Sequence, residues 1–255
     1  MGNKCVGRMM CCFPGGRRRT EPREEKQSLQ EVKVEATAIT PEVSSPVKDQ
    51  GWDLTCINEN LSEALAQLLA IAEDSESIPL IVNKPDVQVY GKDSGRGFLT
   101  KTCWTLRHSP AQFFAFLKET DLRCKWDSNA DQCCSLAQLP NQVSISYERY
   151  KKVALVSQRD VVIASVTQRC GEGWAVVSTS VSNSHPTPSG VLRATMYVGG
   201  HLLRPVGQDW QVVSVSELDF GGALPVALLV RMSAMAMPGY IKAMQSALET
   251  YTLAV

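Results

Sequence analysis

Apolar residues recur every three or four positions near the end of the chain, which predicts one long amphipathic helix with a kink at Pro238. The stripe comprises Leu224, Leu228, Met232 and Met235, then Ile241, Met244, Leu248 and Tyr251. Arg231, Pro238 and Lys242 interrupt the segment, whereas a membrane-spanning helix needs about 20 uninterrupted apolar residues. The helix is therefore predicted to pack within the protein, either as core or as one wall of a cavity lined by flexible methionines.

Two further helices are predicted upstream, and strands fill most of the remaining chain. Residues 53–73 carry apolar side chains at helical spacing, and Ser109 followed by Pro110 matches the start of a second helix. Short strands are predicted at 87–90 and 97–106. From residue 135 onward the period switches to two, which predicts strands at 135–139, 142–150, 159–169, 173–181, 190–206 and 209–220.

Together these elements predict an α+β domain with seven to nine antiparallel strands. An antiparallel sheet of this kind leaves one face to be covered by another element. The C-terminal helix is the only predicted element judged long enough to cover it. Sheet and helix are therefore expected to pack face to face.

The composition supports one folded domain and gives no general affinity for nucleic acid. Of the 255 residues, 44% are hydrophobic, which suffices for a substantial core. The length fits one domain of roughly 200 residues, placed at 51–255, preceded by a tail. The 26 basic and 26 acidic residues cancel, so no net charge draws the protein to nucleic acid.

The placement of cysteine and histidine argues against a disulfide framework, a metal site and catalysis. The nine cysteines are an odd number at irregular spacing, and no apolar signal segment precedes them, which favours free thiols in a reducing compartment. The three histidines stand apart, and the Cys133–Cys134 pair has no second pair, so no metal or other cofactor is expected. No nucleophile is paired with a base, so we expect no enzymatic activity.

The first nineteen residues combine three membrane-anchoring signals. Gly2 follows the initiator Met, as N-myristoylation requires, although Val6 stands where the pattern prefers Ser or Thr. Cys5, Cys11 and Cys12 are candidates for palmitoylation, and five basic residues accompany them without an acid. One myristoyl chain binds membrane only marginally, at about 10⁴ M⁻¹, whereas a second acyl chain and basic residues make anchoring durable.

We therefore expect residues 1–19 to hold the protein peripherally at the cytosolic face of a membrane with an anionic leaflet. Residues 20–50 carry charge, Pro, Ser and Thr but few large apolar side chains. Such a segment is predicted to be a disordered tether. The alternative is a disordered basic tail with incidental cysteines.

Five segments in order resemble one known family. They are RCKWD at 123–127, SQRDVV at 157–162, GVLR at 190–193 after a Pro-rich loop, WQVVSVSELDFGGALP at 210–225, and a final helix with an internal proline. With this spacing the chain resembles the StAR-related lipid transfer (START) domain, a helix-grip fold, over roughly residues 52–251. The resemblance implies a curved sheet around a long C-terminal helix, with one lipid in a tunnel between them and the loop at 182–190 in the lid.

The resemblance also implies residues that contact a lipid head group. In phosphatidylcholine-binding members, the Arg and Asp of an R-x-x-W-D stretch contact it, and Arg123 and Asp127 match them; a simple ion pair between the two is the alternative. Those members surround choline with aromatic rings, which attract a cation. This chain has Val161 and Ser146 at two of those positions and Tyr197 at a third, so the cage is incomplete.

Other candidate residues depend on which way their side chains point. Leu228, Met232 and Met235 are expected to line the tunnel, and Arg193 at mid-strand faces either the cavity or solvent. Sterol-binding members carry a basic residue where this chain has Ser165. A sterol hydroxyl needs only one polar contact, which a serine could supply, but a phospholipid is slightly preferred.

The sequence thus predicts a module that binds a single membrane lipid and transfers it between membranes, or presents it at one, while tethered by its N-terminus. The alternative is a lipid-sensing adaptor that binds lipid without transferring it. The sequence indicates no particular protein partner.

Overall fold

The computed structural model describes residues 51–153, 156–182 and 185–252. The α-helices in these ranges are α1 (Leu54–Glu73), α2 (Pro110–Lys118), α3 (Arg123–Trp126) and α4 (Val226–Thr250). The strands are β1 (Leu80–Lys84), β2 (Val87–Asp93), β3 (Phe98–Leu106), β4 (Ala130–Gln138), β5 (Ser144–Tyr150), β6 (Arg159–Cys170), β7 (Gly173–Ser180), β8 (Leu192–Arg193), β9 (Thr195–Val206) and β10 (Asp209–Asp219). Short 3₁₀ segments lie at Thr120–Leu122 and Pro140–Gln142.

Nine of these strands form one continuous antiparallel path in the order β1-β2-β3-β10-β9-β7-β6-β5-β4. The two-residue β8 pairs in parallel with the start of β6. Strand β1 was not predicted, because burial does not alternate along its five residues and it lacks the period-two pattern that identified the others. The single strand predicted at 190–206 is divided in the structure into β8 and β9.

Helix α1 covers one face of the sheet, which we call the α1 face. Asp53 caps this helix by accepting a hydrogen bond from the backbone N–H of Cys56. The α1 residues buried against the sheet recur at helical spacing and are Ile57, Leu61, Ala64, Leu68 and Ala72. The expectation that only the C-terminal helix would cover the sheet is therefore wrong, since α1 covers a second face.

Helix α4 covers the opposite face, which we call the α4 face. Its residues Ile241 and Met244 pack in one buried cluster with Trp104 of β3 and Val212 of β10. Helix α2 adds its phenylalanines to the same cluster, and Ser109 caps α2 as predicted. The predicted helix-grip arrangement, a sheet closed by a long C-terminal helix, is confirmed.

The inward side of α4 is rotated relative to the predicted stripe. The helix continues through Pro238, and the residues buried along it are Leu229, Ile241, Met244 and Leu248. At about 100° per residue, the predicted residues Leu228 and Met235 lie on the other side of the helix from the buried Ile241, Met244 and Leu248. Met235 is 73% exposed, so its assignment to the tunnel wall is corrected. None of the described helices has the length and apolarity to cross a bilayer.

Candidate functional site

A row of small side chains crosses the α4 face from β2 to β5. Seven residues are paired in succession across the strands: Gly91, Thr100, Ser216, Gly199, Ser178, Ser165 and Ser144. Paired residues share a face of the sheet, and Thr100 lies an even number of positions from Trp104, which packs on the α4 side. The serines and Thr100 contribute little side-chain volume of their own. At the two glycines the space is taken by neighbouring side chains, since a Cβ on Gly91 would lie 2.7 Å from Ile81 Cδ1 and one on Gly199 would overlap Met196 Sδ. Ser144, Ser165, Ser178 and Ser216 are all partly accessible.

Four larger side chains on the same side of the sheet are enclosed by protein and yet accessible. They are Arg123, Tyr150, His201 and Tyr240. The accessible fraction of the Arg123 side chain is 24%. Accessible surface on side chains that protein atoms surround so densely lies in a cleft or an internal space. We infer that these four residues mark the polar end of a cavity between the sheet and α4.

Arg123 is the central charge of this polar end. Its Nε lies 3.3 Å from Asp127 Oδ2, one helical turn further along the chain. Its Nη1 lies 2.9 Å from each carboxylate oxygen of Glu148 on β5. The predicted pairing of Arg123 with Asp127 is present, but Glu148 is the closer partner. Among the described residues Nη2 has no hydrogen-bonding partner, so this nitrogen stays available to a ligand.

The electrostatics keep this guanidinium charged. Burial alone would lower the pKa of Arg123, but Glu148 and the neighbouring Tyr150 and Tyr240 raise the pKa well above its usual value. The Arg123 guanidinium lies 5.6 Å from the ring centroid of Tyr150 and 5.8 Å from that of Tyr240, within range of cation–π attraction. Burial, as the largest cause, raises the pKa of both tyrosines, so their hydroxyls remain protonated donors.

His201 on β9 is held by a short hydrogen-bond chain. Trp104 Nε1 donates to Ser214 Oγ at 2.8 Å, and the same oxygen lies 2.8 Å from His201 Nδ1. Burial first, and then the charge of Arg123, lower the pKa of His201 to about 4. The imidazole is therefore neutral near pH 7.

Sequence reasoning found Arg123 and Asp127 but missed the residues around them. The missed residues are Glu148, Tyr150, His201 and Tyr240. A signal for two of them was present, because Glu148 and Tyr150 follow Ser146 at period two along β5 and so share its face. His201 had no such signal, since its role depends on a pairing with β10 that sequence alone does not give.

Three other predicted residues lie on the α4 side. Ser146 is buried and pairs with Ile163 of β6, two positions from Glu148. Leu228 and Met232 are partly accessible on α4, in the turns next to Leu229. Their assignment to a lipid site stays a proposal.

Arg193 lies on the α1 face. It pairs with Asp160, with Nε 2.7 Å from Oδ1 and Nη2 3.1 Å from Oδ2. Asp160 is the register partner of Arg149 on β5, one position from Glu148 and hence on the opposite face. The structure thus gives Arg193 a buried carboxylate partner away from the cavity, and we leave it out of the site.

Tyr197 also lies on the α1 face, because a β-bulge interrupts the alternation of β9. Glu217 pairs with Val198 while the next residue, Leu218, pairs with Met196, so Tyr197 is the extra residue. A bulge places two successive side chains on one side. The ring of Tyr197 lies 4.4 Å from the guanidinium of Arg96, which also bonds Gln67 of α1. Its predicted place in a choline cage is therefore corrected.

Arg159 has a structural role. Its guanidinium donates to the backbone oxygens of Phe220, Gly221 and Ser157, which ties the start of β6 to the segment leading into α4. Trp126 packs against Phe116, with ring centroids 5.5 Å apart. Within the described ranges no group of three or more His, Cys, Asp or Glu side chains could hold a metal. The predicted lipidation sites Gly2, Cys5, Cys11 and Cys12 lie outside the described residues.

Comparison with known proteins decides the family. A family model described as the START domain matches residues 66–253, about three quarters of the chain. The chain belongs to the START domain family. START domain-containing protein 10 of mouse and the human protein of the same name are each 24% identical over 145 residues. These matches cover 56% of this chain and only 50% of each relative.

Solved START structures share the fold. Human StAR-related lipid transfer protein 5 is 18% identical, with a TM-score of 0.70 over 76% of this chain and 97% of that one. The crystal structure of human STARD10 is 20% identical, with a TM-score of 0.63 over 78% of this chain and 81% of that one. At these identities the likeness establishes the helix-grip fold.

Proposed function

We propose that this protein binds one membrane lipid between the α4 face of its sheet and helix α4, and transfers it between membranes or presents it at one. The observation that carries the proposal is the accessible surface that side chains on the α4 face keep among surrounding protein atoms, from the serines of the row to Arg123 and His201. A lipid chain exposed to water costs about 0.8 kcal/mol per methylene. An apolar space that stays open beneath α4 would remove that cost while the lipid is carried.

The preferred ligand is a glycerophospholipid rather than a sterol. Arg123 keeps Nη2 free toward the cavity, and a guanidinium suits a phosphate. Two serines that could hold a sterol hydroxyl already have partners: Ser165 Oγ lies 2.7 Å from Ser178 Oγ, and Ser144 Oγ donates to the Ser165 carbonyl. Asp127 and Glu148 balance the charge of Arg123, which favours a head group that also carries a cation.

Mass spectrometry of the lipids that co-purify with the full-length protein tests binding and identifies the ligand. Vesicle-to-vesicle transfer by the Gly2→Ala protein then separates carrier from sensor. Transfer at a rate above the spontaneous rate supports a carrier. Binding without transfer supports the lipid-sensing adaptor, and the absence of any bound lipid rejects both.

Met232→Arg should reduce the yield of co-purified lipid at least tenfold, because it places an unpaired charge against the hydrocarbon chains, at a cost of roughly several kcal/mol. Leu228→Arg should act in the same way. The matched control is Met235→Arg, on the same helix but 73% exposed, which should leave the lipid yield within about twofold of wild type. Equal losses from Met232→Arg and Met235→Arg would contradict the proposed wall.

We extend the proposal to the N-terminal tail as a double acyl anchor. Gly2 would carry myristate, and Cys5, Cys11 and Cys12 are candidates for palmitate. Residues 20–50 would serve as the tether, so the domain at 51–255 would exchange lipid only with membranes within its reach. The basic residues of the tail would favour an anionic cytosolic leaflet.

Gly2→Ala should abolish incorporation of radiolabelled myristate and shift most of the protein from the membrane fraction to the soluble fraction, since palmitoyl transfer and durable binding require the first anchor. Cell fractionation with labelled fatty acids measures both effects. Cys5→Ser is the matched control that preserves the myristoylation pattern and should still incorporate myristate. A wild-type protein that incorporates none would leave the tail as a basic extension.

A further inference from the structure

The hydrogen-bond chain that ends at His201 fixes which ring nitrogen carries the proton. Trp104 Nε1 has only a hydrogen to donate, so Ser214 Oγ accepts it at 2.8 Å. The Ser214 hydroxyl proton is then free to be donated, and His201 Nδ1 is 2.8 Å away. Among the described residues no other acceptor bonds this hydroxyl. Because a buried hydroxyl proton is rarely left without an acceptor, we infer that Nδ1 accepts it and that the proton of the neutral ring sits on Nε2.

This second nitrogen faces the internal space. No described residue bonds Nε2, and it is not among the fully buried polar atoms that lack a partner. Since the His201 side chain is partly accessible but enclosed by protein, Nε2 borders the cavity. Thr102, the register partner of Ser214 on β3, is fully buried, and its Oγ1 has no partner. Among the described residues, the polar end thus contains three accessible donors without a partner, Arg123 Nη2, His201 Nε2 and the Tyr240 hydroxyl, besides the buried Thr102 hydroxyl.

We propose that His201 is a recognition residue that donates a hydrogen bond from Nε2 to an oxygen of the bound lipid, alongside Arg123 Nη2. The inference rests on the proposed function and specifies which side chains recognise the lipid by hydrogen bonding. A neutral donor beside a cation suits an oxygen of the phosphodiester or of an ester next to it. The phosphodiester oxygen and the ester oxygen both accept hydrogen bonds and carry no proton of their own.

The test compares two full-length variants and two probe lipids. His201→Phe keeps an aromatic ring against Phe113, whose centroid lies 5.4 Å from that of His201, but removes the donor. His201→Gln keeps an N–H donor. Binding is measured for phosphatidylcholine and for diacylglycerol with the same acyl chains. His201→Phe should bind phosphatidylcholine about tenfold more weakly, the loss expected for one hydrogen bond, and His201→Gln should stay within about threefold of wild type.

The outcomes separate this inference from the proposed function. Weakening with phosphatidylcholine alone places the acceptor in the phosphate, and weakening with both lipids places it in an ester; either supports the inference. Equal affinities of His201→Phe and wild type for both lipids overturn it. A wild-type protein that binds neither lipid rejects the proposed function itself.

The protonated nitrogen of His201 can also be measured in the wild-type protein, so this test does not depend on a variant that folds. Nitrogen-15 NMR of the histidine rings should show His201 protonated on Nε2 and unprotonated on Nδ1, and the Nε2 resonance should shift when phosphatidylcholine is added. Protonation on Nδ1, or an unchanged Nε2 resonance in the lipid-loaded protein, overturns the inference.

Discussion

Replacing Arg123 with methionine should lower the free energy of unfolding by about 3 kcal/mol, because Glu148 and Asp127 would lose the cation that neutralises them. Both carboxylates are almost inaccessible, at 6% and 3% of their side-chain surface. The accessible 24% of Arg123 faces the cavity, which places the effect at the lower end of the range for a broken buried pair. Urea unfolding of lipid-free protein, followed by far-ultraviolet circular dichroism, measures the loss.

The chain offers a matched control for this variant. Arg149 is 25% accessible and pairs with Asp131, 29% accessible, at 2.6 Å, so its accessible fraction is nearly that of Arg123. Its surface faces bulk water, and an ion pair of that kind contributes roughly 1 kcal/mol or less. Arg149→Met should therefore destabilise the protein far less than Arg123→Met. Equal losses would show that the surface of Arg123 is external and that no cavity borders it.

A double variant separates the lost ion pair from lost packing. Arg123→Met combined with Glu148→Gln removes one stranded charge, so it should recover part of the stability that Arg123→Met loses. It should not recover phospholipid binding, because the Nη2 donor is absent in both variants. Recovery of binding by the double variant would remove Arg123 from the proposed recognition site.

Most of the fold follows from local patterns in the sequence. The spacing at 53–73 and the Ser109–Pro110 pair predicted α1 and α2 almost to the residue, since caps and helical periodicity are local properties. That α1 covers a face of the sheet was not predictable in the same way. Whether a helix covers one face or the other depends on long-range pairing, and the sequence pattern contains no information on that pairing.

The candidate site shows the same division between local and long-range information. Arg123 and Asp127 were found because they belong to one contiguous stretch, RCKWD at 123–127, that the resemblance matched. Tyr197 was assigned to a choline cage from the resemblance alone, and the bulge opposite Glu217, which inserts one residue, places its side chain on the α1 face. A single inserted residue moves a side chain to the other face, so strand pairing is needed before any residue beyond the bulge can be assigned.

Lowering the pH from 7 to 4 should remove about 3 kcal/mol of stability through His201 alone. The folded protein holds the pKa of this imidazole at about 4, against an ordinary value of 6.5. As the pH falls below 6.5 the unfolded chain takes up a proton that the folded protein does not, so unfolding becomes more favourable. Each unit of difference corresponds to about 1.4 kcal/mol. The loss grows only slightly below pH 4 and levels off about one pH unit lower.

His201→Gln isolates this contribution, because glutamine does not titrate and all other groups remain. The free energy of unfolding is measured in urea at several pH values between 7 and 4 for both proteins, and the curve of the variant is subtracted from that of wild type. Arg123 is the charged group whose field acts on His201, and it keeps its charge throughout this range. The difference should fall steadily from pH 6.5 to pH 4. A flat difference would mean that His201 titrates as it does in water, and therefore that it lies outside the enclosed polar end of the cavity.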